Sequence, residues 1–174
     1  MNLRITQKNQ ELTLKALEQS AKAQELSLKT QDLALKAQQQ NLETRQAQLF
    51  MQLFDRWSSS EFALNYGKVR YEFCPKFNNS PEEFSQYVTQ NTNEKFNPEV
   101  FLPVHQLALF FEGVGVLVQK NLIDMDMVRR LFADRIVWCW GMIKPRIVFA
   151  RGYQEPQLYS NFEWLYDEMV RLRR

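Results

Sequence analysis

The residues best suited to chemistry in this chain are one histidine, His105, and two cysteines, Cys74 and Cys139. A thiol beside an imidazole could act as a nucleophile, with the histidine taking the thiol proton. Cys139, however, stands in "IVWCWG" between two tryptophans. A thiol in that setting reads as a small, inert core residue. His105, near the start of an apolar helix, reads as a packing or capping residue. This inventory is too small for a Cys/His zinc site or a disulfide framework, so both thiols are expected to be reduced, in a cytosol-facing compartment. No phosphate loop, paired-histidine zinc motif or nucleophile elbow is present. "GVGVLV" (Gly113–Val118) lacks a third glycine and falls inside a helical stretch, so its glycines read as close helix packing. No enzyme, metal or cofactor is expected.

Charge chemistry is more promising. Glu112 follows two phenylalanines and precedes Gly-Val-Gly-Val, and its helical neighbours Ala108, Leu109, Gly115 and Val116 are all apolar. A carboxylate on such a face needs a partner. Arg146 and Arg151, in the otherwise apolar "PRIVFARGY", are the candidates, so the expectation is a structural ion pair. The alternatives are a ligand-binding carboxylate at Glu112 and an anion-binding groove that uses Arg146, Arg151 and Tyr153.

These residues must be positioned by helices. "NNSPEEF" is a helix start, with Ser80 as N-cap, Pro81 at the first position and Glu82 and Glu83 complementing the dipole. "SSSEF" caps a helix over about 61–73, with Pro75 beyond its end. Residues 91–98 read as loop. A long apolar helix is predicted over about 103–120. Asp124 caps the next, over about 125–143, which Pro145 should kink or break. A last helix is predicted over 159–173, with Arg171, Arg173 and Arg174 suiting its C-terminal end. The window Val100–Val118 is apolar enough to suggest a membrane. Its proline and Glu112 argue for a core helix, since a central acidic residue costs roughly 2.5–3.5 kcal/mol on insertion. No window shows strand alternation with hairpin chemistry. The expected fold is all-α.

Composition breaks near residue 50. Every Phe, Trp, Tyr, Gly and Pro lies at or beyond Phe50. The expectation is a polar stalk helix over residues 1–49 and a compact multi-helix bundle over 50–174, with "LFMQLFDRW" carrying the helix into the core through Phe50, Leu53, Phe54 and Trp57. In the stalk, Glu11, Glu18, Glu25 and Asp32 each precede a lysine by four places, the order worth roughly 0.2–0.5 kcal/mol per pair. Two apolar lines flank this solvated face. One runs through Leu14, Ala21, Leu28, Leu35, Leu42 and Leu49. The other runs through Leu12, Leu26 and Leu33 with small residues between. Leu12 and Leu14 are about 200° apart around a helix. Neither line is a strong dimeric zipper. Two weak lines suit a helix that touches a neighbour on each side, as in a bundle of more than two strands or a ring. A two-stranded coil and a solitary helix are the alternatives.

The string "FFEGVGVLVQKNLIDMDMVRRLF", then "IKPRIVFARG" and "YSNFEWL", resembles the uncharacterised bacterial domain-of-unknown-function 4760 family over about residues 45–170. The family brings no established activity. It implies a membrane helix just before such a stalk, a segment with which this chain does not begin.

The expected function is therefore a non-enzymatic assembly module. Its partner is further copies of itself, with an unknown protein partner and a tether at the cytoplasmic face of a membrane left open. The runner-up is a ligand-responsive sensor or effector that binds a small anion through Arg146, Arg151 and Glu112. A formal charge of +2 gives no reason to invoke nucleic acid.

Overall fold

The computed structural model describes residues 2–91, 96–153 and 155–172, with side chains from residue 11 onward. Among them the chain is helical and contains no strand. The elements are α1 (Asn2–Ser58), α2 (Ser60–Gly67), a π-helical segment (Lys68–Phe73), α3 (Cys74–Lys76), α4 (Pro81–Thr89), α5 (Pro98–Gln119), α6 (Met125–Arg151) and α7 (Ser160–Arg171). Part of the expected 91–98 loop, and Arg173 and Arg174, lie outside the described residues.

The chain divides into two compact units, residues 1–45 and 46–174. The first is part of the single helix α1, and its described side chains are exposed. Two of the four expected acid-to-lysine pairs form among the described residues: Lys29 with Glu25 at 3.3 Å and Lys36 with Asp32 at 2.7 Å. The second unit begins where α1 first finds tertiary partners. Gln46 Nε2 donates to the Asn121 carbonyl at 3.0 Å, and Leu49, Phe50, Leu53 and Trp57 pack on the core. Trp57 is the anchor. Its ring lies 5.0 Å from Phe62, 5.6 Å from Phe110 and 5.3 Å from Phe132. Phe54, expected in the same stripe, is exposed.

In the second unit α5 packs against α2, α6 and α7, and α6 also packs against α4 and α7. By length and composition α5 could cross a membrane, and half of its apolar window is buried against the rest of the unit. The caps expected at Ser80 and Asp124 both form. Ser80 accepts from Glu83 N at 3.3 Å, and Asp124 Oδ1 accepts from Asp126 N at 2.7 Å and Met127 N at 3.1 Å.

Two helix boundaries expected at prolines are corrected. Helix α5 starts at Pro98, capped by Asn97, and runs through Pro103; α6 runs through Pro145 to Arg151. A proline inside a helix deprives the carbonyl four residues back of its donor. Those residues are Glu99 and Gly141, both exposed, so water can take the orphaned acceptors. The expected 61–73 helix also changes character at Lys68. Its π-helical turn places Val69 and Phe73 in the core, with buried Cys74 just beyond its end, and lays Arg70 over the Trp138 ring at 4.7 Å. Such turns answer to tertiary packing and leave little trace in local propensity.

Candidate functional site

Glu112 lies on α5 facing the start of α7. Tyr159, the N-cap residue of α7, has a left-handed backbone (φ 54°) and gives that helix no side-chain cap. The first amides of a helix must find acceptors. Glu112 supplies one from another helix: its Oε2 accepts from Phe162 N at 2.7 Å, and its Oε1 accepts from Asn161 Nδ2 at 2.5 Å. Its negative charge also suits the positive end of the α7 dipole. The expected pairing of Glu112 with Arg146 or Arg151 is thus corrected. Its partner is a helix terminus.

Arg151 binds elsewhere. Its Nη1 pairs with Glu163 at 2.5 Å and its Nε donates to the Leu158 carbonyl at 2.8 Å. It ties the end of α6 to the connection and first turn of α7. Its Nη2 is buried with no hydrogen-bond partner among the described residues. Tyr153 is 79% exposed and packs on Phe149, 5.1 Å away between rings. The four candidate residues are therefore dispersed: Glu112 caps α7, Arg151 braces it, Tyr153 faces outward, and Arg146 alone of the four lines a cavity.

Gly115 explains how α7 comes so close. A β-carbon there would run into the Asn161 carbonyl group, whereas one at Gly113 would meet open space. The close-packing reading of the two glycines holds for Gly115 and is corrected for Gly113.

The cavity has a volume of about 280 Å³ and lies between α5 and α6, under the connection to α7. Its walls are apolar, including Phe101, Val104, Ala108, Ile143, Ile147 and Ala150. Four polar side chains reach it: His105, Arg146, Glu155 and Tyr159. His105 Nδ1 and the Tyr159 hydroxyl share a hydrogen bond at 2.6 Å, and the imidazole stacks on Phe101 at 4.9 Å. Burial and the nearby Glu112 carboxylate push the Tyr159 hydroxyl up to about 12. Burial also lowers the Arg146 guanidinium from its ordinary value. No carboxylate among the described residues lies within 4.0 Å of Arg146. The Phe149 ring lies 5.9 Å from its guanidinium carbon, and Tyr159 stands nearby.

His105, which the sequence suggests as a packing or capping residue, and Tyr159 join Arg146 at this cavity. The signal available was Arg146 itself: it stands among Ile143, Ile147 and Ala150, buried residues at helical spacing on one stripe of α6. Cys139 and Cys74 are both free and buried. Among the described residues no group of His, Cys, Asp and Glu could hold a metal ion.

The stalk leucines lie outside this site. Leu14, Leu28, Leu35 and Leu42 on one line, and Leu26 and Leu33 on the other, are 56–67% exposed.

Together these features define an all-α protein: a long polar helix with two leucine lines, running into a helical unit whose last helix is capped from α5 and whose central pair encloses an apolar cavity. The model of the family described as Domain of unknown function (DUF4760) matches residues 10–169, nearly the whole chain, and the chain belongs to that family. No curated protein and no solved structure matches it.

Proposed function

We propose that this protein is a non-enzymatic assembly module, in which α1 joins more than two copies of the chain and so gathers their helical units. The observation that carries the reading is the exposure of the α1 leucines. Leu12, Leu14, Leu26, Leu28, Leu33, Leu35 and Leu42 each show 56–67% of their surface to solvent. Burying one leucine side chain is worth about 1.5–3 kcal/mol. A long polar helix standing alone is only marginally stable, and most helical stability in proteins comes from packing. Covering both lines at once requires a neighbour on each side, which favours a bundle of three or more strands, or a ring, over a two-stranded coil. The occupant is a second copy, because the acid-to-lysine pairs beside the lines can alternate in sign against the same face of an identical helix. A membrane anchor ahead of α1, as the family resemblance implies, would set such an assembly at the cytoplasmic face of a membrane.

The solution mass of the full chain, measured by light scattering beside that of residues 46–174, tests this. The expected result is a mass of three or more chains for the whole protein, and a monomer or much smaller species for the shorter one. Equal stoichiometry for the two would remove α1 as the assembly element.

A further inference from the structure

The cavity between α5 and α6 is used by neither the capping of α7 nor the α1 leucines. Its composition is lopsided. Apolar residues from α4, α5 and α6 form most of the wall, and one cationic group, Arg146, enters it half-buried. A charged group removed from water without a counter-charge is costly. Arg146 has no ion-pair partner among the described residues, while Arg151, five residues on, has Glu163. The carboxylate of Glu155 also lines the cavity, but it is exposed and so screened by solvent. Tyr159, beside Arg146, is held in a left-handed conformation that a bulky residue rarely adopts. Strained residues of this kind gather where ligands are gripped.

We propose that this cavity binds a short amphipathic monoanion, whose hydrocarbon chain lies among Phe101, Val104, Ile143 and Ile147 and whose carboxylate pairs with Arg146. A guanidinium and a carboxylate make a charge-assisted, two-pronged hydrogen bond. The hydroxyl of Tyr159 can supply a further donor. With the proton on His105 Nδ1, the imidazole donates to Tyr159, and the hydroxyl proton is left for the ligand. Size sets the chain length. A volume of about 280 Å³ has room for a short hydrocarbon chain and not a long one. The site needs no assembly to be complete, since every lining residue comes from one helical unit.

The test uses the full chain and octanoate. Calorimetric titration is expected to give one site per chain. The imidazole signals of His105, the chain's single histidine, report location without ambiguity, and they are expected to shift as the site fills. On the parent protein, 1-octanol and octylammonium should bind at least about tenfold more weakly than octanoate. Arg146→Met should also weaken octanoate at least about tenfold, and because it removes a charge that has no ion-pair partner among the described residues, while keeping an apolar stem, it should melt no lower than the parent. Unmoved His105 signals at saturation would overturn the site. Equal binding of the three head groups, or an unchanged affinity in Arg146→Met, would overturn the carboxylate–arginine pairing. Tighter binding of 2-aminooctanoate than of octanoate would overturn the monoanion in favour of a zwitterion whose ammonium meets Glu155. The comparison of head groups stands even if the variant does not fold.

Discussion

The carboxylate of Glu112, in the middle of α5, accepts the amide proton of Phe162, 50 residues further along the chain, at 2.7 Å. A side chain from one helix thereby performs the capping that the residue at the start of another leaves undone. Tyr159 occupies the cap position of α7 and contributes no side-chain capping bond.

Removing this cap should destabilise the helical unit. Glu112→Ala strands the Phe162 amide and the Asn161 side chain, and loss of a cap or of a buried acceptor costs about 1–3 kcal/mol. Glu112→Gln keeps an acceptor for the Phe162 amide but loses the charge facing the helix dipole, so it should fall between Ala and the parent. Denaturant melts of both variants check the order. If Glu112→Ala melts as the parent does, the cap contributes nothing.

The crossing of α5 and α7 gives an internal control. Gly115→Ala drives a methyl into the Asn161 carbonyl group, and overpacking of this kind costs about 1–3 kcal/mol. Gly113→Ala, two residues away, meets open space and should stabilise by up to about 1 kcal/mol through helix propensity. Melting temperatures should therefore move in opposite directions. Matching shifts would mean that the close approach at Gly115 is not made in solution.

Each leucine line of α1 should matter to assembly. Leu28→Glu with Leu35→Glu, and separately Leu26→Glu with Leu33→Glu, should each reduce the mass of the full chain in light scattering. A single-seam zipper would respond to one pair alone. Indifference to both pairs would leave α1 a solvated spacer.

Alkaline stability should follow the buried acids. Burial pushes the Cys74 thiol up to about 12 and the Cys139 thiol higher still, and Tyr159 up to about 12. In the unfolded chain thiols ionise near 9 and tyrosine near 10. Between those values and the folded ones the unfolded state binds fewer protons, so stability falls with rising pH. It should hold below about pH 8 and decline from about pH 9 toward 12. Tyr159→Phe should flatten the decline above pH 10, read as melting temperature against pH. The same burial should keep both thiols silent to a thiol reagent at pH 8 until the protein is unfolded.

Much of the architecture could be read from local chemistry. The helical class, the caps at Ser80 and Asp124 and the entry of Trp57 into the core depend on residues within about one turn of each other, and periodicity and cap preferences report at that range. The leucine lines of α1 were legible for the same reason. What only the tertiary structure decided is which groups meet across helices. The sequence marked Glu112 as needing a partner and Arg146 and Arg151 as charges in apolar surroundings. It could not say that Glu112 would face a helix terminus, that Glu163 would take Arg151, or that His105 and Tyr159 would join Arg146 around a cavity. Those outcomes hang on how closely α5 and α7 approach at Gly115 and on α6 continuing past Pro145. Both are set by long-range packing and by where water can reach an orphaned carbonyl; "GVGVLV" flags a close approach but neither which glycine makes it nor which helix it meets.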